Sequence, residues 1–328
     1  MNQPTALARQ VADEIGFSGA LRMSQRDIVV QEFATGFAGR ARRIPNRVDT
    51  RFATASATKG MTALAVMSLI ESGEFTLETT VREILDDMLP MVDERVTVAH
   101  LLSHQSGVGD YLDEESLGDI DDHTLDVSVH SLERPIDYLP LVDGIPQVFV
   151  PGERFAYNNS GFIILAIIIE KVTGSYHEAV IQRVLEPAGI TAGGFFRSDD
   201  LPDNTALGYL GNGRTNVFHL PVIGIGDGGI YLTLNDVSAF WKTMFAGEIV
   251  STRSVEQMTT PTHMGDDGQG YGLGFWLKDG GDHVALVGMD PGVSFRSTFR
   301  QSTGAMYVVM SNTSSGVWPI SRALDESE

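Results

Sequence analysis

The chain contains no cysteine among its 328 residues. Disulfide bonds, thiolate zinc sites and cysteine nucleophiles are therefore excluded. Basic residues are also scarce: 23 lysines and arginines stand against 43 acidic residues, which gives a formal net charge of −20. Nucleic acids and anionic membranes select basic surfaces, so this balance argues against both as partners and favours a small-molecule ligand.

Long apolar runs are missing as well. The longest extends from Phe162 to Ile169 and ends at Glu170. A membrane-spanning helix needs about 20 such residues, so this run predicts a buried helix and no membrane span. Residues 1–16 lack the basic start and apolar centre of a signal peptide and predict a short amphipathic helix. We expect a cytoplasmic protein, and the sequence leaves its oligomeric state open.

The order of predicted elements indicates the fold class. Residues 17–37 read as a β-hairpin with its turn near Arg26, and β-rich segments return beyond residue 205. The residues between are mainly helical by pattern. We therefore predict an α and β protein with a mixed, mainly antiparallel sheet flanked by helices. Residues 1–60 and 205–328 are expected to form a sheet domain, residues 61–204 an inserted helical domain, with the active site in the cleft between them.

One segment is unusually acidic. Residues 109–126 carry eight carboxylates and no lysine or arginine. A calcium loop of the EF-hand type requires glycine at its sixth position, where this segment, counted from Asp119, has Thr124. We expect a solvated surface loop rather than a metal site or an active-site lid. The acidic residues are Asp110, Asp113, Glu114, Glu115, Asp119, Asp121, Asp122 and Asp126.

A lysine stands in an apolar stretch three residues after a serine, in the segment FATASATKGMTA. At the start of a helix, Ser56 and Lys59 share one face and can approach to hydrogen-bond distance. Lysine can then take the serine proton and activate the hydroxyl as a nucleophile. The alternative is an N-capping serine and a solvated lysine. A chain of this composition contains roughly 0.3 Ser-x-x-Lys pairs by chance, so the pair by itself is weak evidence for a catalytic site.

A second element precedes the apolar helix. In PGERFAYNNSGF, Tyr157 and Asn159 follow proline and glycine, in a loop where catalytic groups commonly lie. Tyr157 can transfer protons beside a lysine, and the amide of Asn159 can hold both Lys59 and a substrate carbonyl. Taken alone, this segment favours the alternative of a packed tyrosine and a helix-capping asparagine.

Both elements in this order resemble the serine β-lactamase and penicillin-binding-protein superfamily. The likeness is to its class C-like branch, which includes D-amino-acid peptidases and family VIII esterases. The segments MTALAVMSLIESGEF, VTVAHLLSHQSGV, PGERFAYNNSGF and GDGGIYLTLNDV extend it over most of the chain. The resemblance implies a β-lactamase/transpeptidase-like fold, Ser56 as acylated nucleophile, Lys59 as its activator, Tyr157 as proton shuttle and Asn159 as substrate-orienting amide. His104 and Asp227, which lie in these segments, are expected to be structural.

This chain departs from the family's pattern at the third motif. Lys-Thr-Gly or His-x-Gly is usual, and here the matching residues are Leu286, Val287 and Gly288. His283 is three residues too early, an odd offset that places it on the opposite strand face from Leu286. Because the family's cation binds the carboxylate group of the substrate, its loss makes substrates with a carboxylate less expected. Gly288 and the backbone N–H of Met289 can still complete an oxyanion hole.

We therefore expect a serine hydrolase that forms an acyl-enzyme and needs no metal or organic cofactor. Its substrate would be a small ester, amide or lactam. A carboxylesterase ranks first, a D-amino-acid amidase or peptidase second and a β-lactamase third. The alternative from another class is a catalytically weak relative that uses the same cleft to bind a ligand.

Overall fold

A computed structural model describes residues 3–112 and 118–327. The helices are α1 (Gln3–Glu14), α2 (Thr58–Glu71), α3 (Val81–Leu85), α4 (Val98–Leu102), α5 (Leu139–Val142), α6 (Asn159–Thr173), α7 (Tyr176–Val180), α8 (Leu234–Ala246), α9 (Thr252–Met258) and α10 (Trp318–Asp325). The strands are β1 (Gly19–Gln25), β2 (Ile28–Thr35), β3 (Phe37–Gly39), β4 (Ile44–Pro45), β5 (Phe52–Ala53), β6 (Gly194–Phe195), β7 (Ile230–Leu232), β8 (His263–Met264), β9 (Gly270–Tyr271), β10 (Trp276–Lys278), β11 (His283–Asp290), β12 (Val293–Arg300) and β13 (Ala305–Ser311).

Eight strands form one antiparallel sheet in the order β2-β1-β13-β12-β11-β10-β9-β8. The predicted hairpin is confirmed as β1 and β2. Its two turn residues, Arg26 and Asp27, have φ values of 47° and 67°, as the tight turn of a right-twisted hairpin requires. The sheet flanked by helices confirms the predicted fold class.

Side chains alternate between the two faces of this sheet, as the period of a strand dictates. On β13, Tyr307 and Val309 pack in a small apolar cluster with residues of α1 and α10. Val308 and Met310 face the main core, which includes residues of α2, α6 and α8. Both faces of the sheet are therefore covered by helices.

Helix α6 lies in that main core. The run from Phe162 to Ile169 is at most 2% exposed, which confirms the predicted buried helix. Within the described residues, no helix has the length and apolar character to cross a membrane. The cytoplasmic location stays a prediction.

The predicted division into two domains also stays a prediction. The large sheet takes its strands from residues 19–35 and 263–311, and helices α2 to α9 come from the sequence between them. A separate three-stranded sheet joins β5, β7 and β6, and β6 comes from the range predicted to be mainly helical.

Candidate active site

Ser56 lies in a single 3₁₀ turn, Ala55–Ala57, between β5 and α2. The predicted helix thus begins at Thr58, just after the serine. Ala55 has a φ of 49°, a left-handed conformation that costs roughly 1–2 kcal/mol for a residue with a side chain. The hydroxyl of Thr58 donates to the Ala55 carbonyl over 2.7 Å and accepts from the N–H of Ile230 over 3.1 Å. These bonds hold the strained turn that presents Ser56.

Lys59 is 2% exposed and lies directly behind the serine. Its Nζ is 2.9 Å from Ser56 Oγ, 2.7 Å from Asn159 Oδ1 and 2.9 Å from the backbone oxygen of Asp227. The lysine therefore bridges α2, the start of α6 and the loop before β7. A burial this complete is tolerated because the amine is hydrogen-bonded on several sides.

Two other side chains cap α6, which leaves the Asn159 amide for Lys59. The side chain of Asn158 is the N-cap and accepts from the N–H of Gly161 over 2.6 Å. The carboxylate of Asp110 accepts from the backbone N–H groups of Asn159 and Ser160, each over 2.8 Å. The capping role considered for Asn159 is thus supplied by its neighbours.

Tyr157 lies on the open side of Lys59. Its ring centre is 5.0 Å from Lys59 Nζ, and it stacks on Trp276 with centroids 5.8 Å apart. His104 packs on the other side, with centroids 4.5 Å apart, and its Nδ1 accepts from the N–H of Asn158 over 3.1 Å. Burial and the nearby charge of Lys59 hold the pKa of His104 well below its usual value, so the ring is neutral. These contacts fix the tyrosine ring.

Strand β11 passes close to the serine turn. A Cβ on Gly288 would lie 2.1 Å from the oxygen of Thr54 and 2.9 Å from the nitrogen of Ser56, so this position requires glycine. Met289 follows it, 38% exposed, in the wall of the cleft. The strand thereby brings its backbone to the position where an oxyanion hole would form.

Leu286 has a different environment from the cleft residues. It is 2% exposed, and a Cβ added to Gly60 would lie 2.5 Å from its Cδ2, so its side chain packs against α2. Val287 is the residue of β11 that lines the cleft beside Gly288. His283 and Ala285 line a different, smaller cavity, which agrees with the predicted opposite facing of His283 and Leu286.

Two cavities meet at Ser56. The larger, about 800 Å³, is lined by Tyr157 and by mostly apolar side chains. The smaller, about 70 Å³, lies on the side of Asp227 and Asp290. Apolar and aromatic residues of the larger cleft include Val108, Val148, Phe149, Trp276, Val287 and Trp318. A nucleophile between two cavities has room for an acyl group on one side and a leaving group on the other.

The acidic segment is closer to this site than predicted. Asp113, Glu114 and Glu115 lie outside the described residues. The prediction of a solvated loop is wrong for Asp110, which caps α6, and for Asp121, which accepts from Gly211 N–H over 2.6 Å and from Ser314 Oγ. Acidic side chains are held inward here because backbone and hydroxyl donors meet them. Tyr111, Leu112, Ile120, His123 and Leu125 from the same segment line the smaller cavity.

The structure brings Ser56, Lys59, Tyr157, Asn159, Gly288 and Met289 together around one cleft, while Leu286 lies beneath it. Among the residues that line the cavities or contact the lysine, sequence reasoning assigned no role in the site to Asp110, Tyr111, Val287 or Trp276. One signal for Asp110 was available. It follows the SHQSGVG segment directly, and carboxylates stabilise helix N-termini, although nothing in the sequence shows which helix it reaches.

Comparisons with known proteins place this geometry in a family. The family described as Beta-lactamase matches residues 5–323. A penicillin-binding protein from Bacillus halodurans has a similar crystal structure, with 38% sequence identity and a TM-score of 0.91 over 98% of this chain and 100% of that one. The putative penicillin-binding protein PbpX of Bacillus subtilis (strain 168) is 27% identical over 91% of this chain and 71% of its own length.

Another relative, named for a different activity, is esterase EstB of Burkholderia gladioli. It is 31% identical over 54% of this chain and 46% of its own length. The resemblance stated from the sequence is thereby confirmed. The chain belongs to the beta-lactamase family and is a serine hydrolase.

Proposed function

We propose that the chain hydrolyses carboxylic esters, and more slowly small amides, through an acyl-enzyme on Ser56. The observation that carries this proposal is the contact of 2.9 Å between Ser56 Oγ and the buried Nζ of Lys59. Esterase EstB and the penicillin-binding relatives support hydrolysis of an acyl bond. The apolar lining of the larger cleft supports an uncharged substrate.

Three of the hydrogen-bond partners of Lys59 support a way in which it would activate the serine. To act as a base, Lys59 must react in its neutral state, in which the amine has two hydrogens and one lone pair. Asn159 Oδ1 and the backbone oxygen of Asp227 act only as acceptors, so both hydrogens point to them. The lone pair then points to Ser56 Oγ and can take its proton.

The reaction then follows in two halves. Ser56 Oγ attacks the substrate carbonyl carbon, its proton moves to Lys59, and the carbonyl oxygen becomes an oxyanion between the backbone N–H groups of Ser56 and Met289. The carbon–oxygen bond to the alcohol breaks, and Tyr157 with Lys59 returns the proton to that leaving group. Water attacks the acyl-enzyme by the same route and releases the acid.

The ester preference rests on β11. Leu286 occupies the position of the family's cation, and Val287 faces the cleft in place of its hydroxyl residue. A carboxylate in the substrate therefore finds no lysine or histidine at these two positions of β11. Penicillins and peptide C-termini carry such a carboxylate, so we place a β-lactamase or D-amino-acid peptidase behind a carboxylesterase.

One observation favours a D-amino-acid amidase as the second candidate. The smaller cavity beside Ser56 is lined by Asp227 and Asp290, and its described lining includes no lysine or arginine. Two carboxylates would favour a substrate with an ammonium group over a neutral one. Free and N-acetylated D-amino-acid p-nitroanilides separate the two candidates, because only the amidase would prefer the free amine.

The test of the proposal is intact mass spectrometry after exposure to a fluorophosphonate. The wild-type protein should gain one phosphonyl group, and Ser56→Ala should gain none. Rates on a short p-nitrophenyl ester and a chromogenic cephalosporin then rank the substrates. Preference for the cephalosporin would reverse the order, and an unlabelled wild-type protein would favour a catalytically weak, ligand-binding relative.

A further inference from the structure

Asp110 binds two residues at the start of α6, and one of them, Asn159, holds Lys59. Its Oδ2 is 2.8 Å from the backbone nitrogen of Asn159 and 3.4 Å from the Nδ2 of the same residue. Its Oδ1 is 2.8 Å from the backbone nitrogen of Ser160 and 3.0 Å from Ser160 Oγ. Both carboxylate oxygens are therefore occupied by donors at the start of α6.

The amide of Asn159 has two ends that differ chemically. Its Oδ1 accepts from Lys59 Nζ over 2.7 Å, so its Nδ2 must point elsewhere. An acceptor on that side is Asp110 Oδ2, 3.4 Å from Nδ2. A flipped amide would direct its oxygen at a carboxylate, which is repulsive, and would remove the acceptor that Lys59 Nζ has in Asn159 Oδ1. The carboxylate thus selects one of two amide orientations.

The residue after Asp110 reaches the other acceptor of Lys59. The N–H of Tyr111 donates to Ser160 Oγ over 2.9 Å, and its phenol donates to Asp227 Oδ2 over 2.6 Å. Asp227 contributes the backbone oxygen that accepts from Lys59. Burial and the charge of Asp227 raise the pKa of Tyr111 well above its usual value, so the phenol remains a donor. The segment thus contacts both supports of the lysine.

We infer that Asp110 is a positioning residue for the hydrolysis: it fixes the orientation of the Asn159 amide and, through it, directs the lone pair of Lys59 at Ser56. This inference rests on the proposed function. Asp110 itself does not line the route of proton transfer between Lys59 and Ser56. Its effect should therefore depend on the presence of the Asn159 amide.

A double-mutant cycle tests this dependence. The variants are Asp110→Asn, Asn159→Ala and the double variant, and the readouts are the rate of phosphonylation of Ser56 by a fluorophosphonate and kcat and KM for a short p-nitrophenyl ester. Asp110→Asn should lower the labelling rate and kcat by about 10-fold or more and change KM by less than about 3-fold. In the Asn159→Ala background the same substitution should change the labelling rate by less than about 2-fold.

Asp121→Asn is the matched control. Asp121 is a hydrogen-bonded carboxylate of the same acidic segment, but its partners are Gly211 and Ser314. Its substitution should leave the labelling rate within about 2-fold of wild type. If Asp110→Asn lowers the melting temperature by more than about 10 °C, the cycle is run with Asp110→Glu, which keeps the charge and displaces the carboxylate by one methylene.

The outcomes separate this inference from the proposed function. A folded wild-type protein that the fluorophosphonate does not label overturns the proposed function itself. A labelled wild-type protein with an equally fast Asp110→Asn variant overturns the inference alone. Equal losses with and without the Asn159 amide would show a general structural role and would also overturn it.

Discussion

A methyl group on Gly288 would lie 2.9 Å from the backbone nitrogen of Ser56. The strand and the nucleophile turn are therefore in contact through their backbones, with no side chain between them. Peptide N–H groups positioned in this way need no reorganisation when charge develops on a substrate oxygen. The family resemblance suggested this function for Gly288, and the close approach gives it a physical reason.

Gly288→Ala should separate the strand from the turn. The added methyl would collide with the oxygen of Thr54 at 2.1 Å, and the displaced oxyanion hole should lower kcat by about 10²-fold or more. Overpacking should lower the free energy of unfolding by about 1–3 kcal/mol. Ester hydrolysis and urea denaturation measure both effects. Gly118→Ala, where a Cβ meets nothing within 4 Å, is the control. Wild-type kcat in Gly288→Ala would disprove the proposed oxyanion hole.

Lys59→Met should abolish activation of the serine. Methionine has a similar length, so the core volume is nearly kept, but Ser56 loses its base and hydrolysis should fall by about 10²–10⁴-fold. The oxygen atoms of Asn159 and Asp227 lose a donor, at about 1–3 kcal/mol each. Phosphonylation rates and thermal unfolding measure the two losses. The exposed Lys242 offers the comparison Lys242→Met, which should retain activity. Normal labelling of Lys59→Met would contradict the proposed role.

Tyr157→Phe tests proton transfer with little change in packing. The phenylalanine ring keeps the stacking on Trp276 and the contact with His104, so the melting temperature should change by only a few degrees. Without the hydroxyl, kcat should fall by about 10²–10⁴-fold. Tyr209→Phe removes a hydroxyl that bonds the N–H of Arg40 away from the cleft and should leave kcat unchanged. A fully active Tyr157→Phe variant would show that the phenol transfers no proton.

His104 should make the fold sensitive to mild acid. Its pKa in the folded chain is held well below 6.5 by burial and by Lys59. Below pH 6.5 the unfolded chain binds a proton that the folded chain does not. Stability is therefore complete above that pH and falls by up to about 1.4 kcal/mol per pH unit as pH decreases.

Urea unfolding at pH 7.5 and pH 5.0 measures this effect. In His104→Asn, the stability difference between the two pH values should shrink by up to about 2 kcal/mol relative to wild type. Asparagine tolerates the left-handed backbone of this position, where φ is 56°. His130, which is exposed, provides the control His130→Asn with an unchanged difference. Identical pH dependence in wild type and His104→Asn would show that His104 is not the responsible group.

The sequence by itself determined the local parts of this protein. Apolar periodicity predicted α2 and the buried helix α6, and the β-branched segments predicted the hairpin of β1 and β2, because each depends on contacts within a few residues. The spacing of Ser56 and Lys59 needs only one helical turn to bring both side chains together. Their motif, with Tyr157 and Asn159, also predicted the family.

Only the tertiary structure decided what surrounds the lysine. The partners Asn159 and Asp227 are 100 and 168 residues from Lys59, and local pattern carries no information on such pairings. For the same reason Asp110, about 50 residues before the helix that it caps, was assigned to a solvated loop. Packing of α6 against residues 109–112 makes this carboxylate a half-buried hydrogen-bond acceptor. Ser56 and Lys59 are close together in the sequence, whereas the residues that hold Lys59 in place are far from it in the sequence.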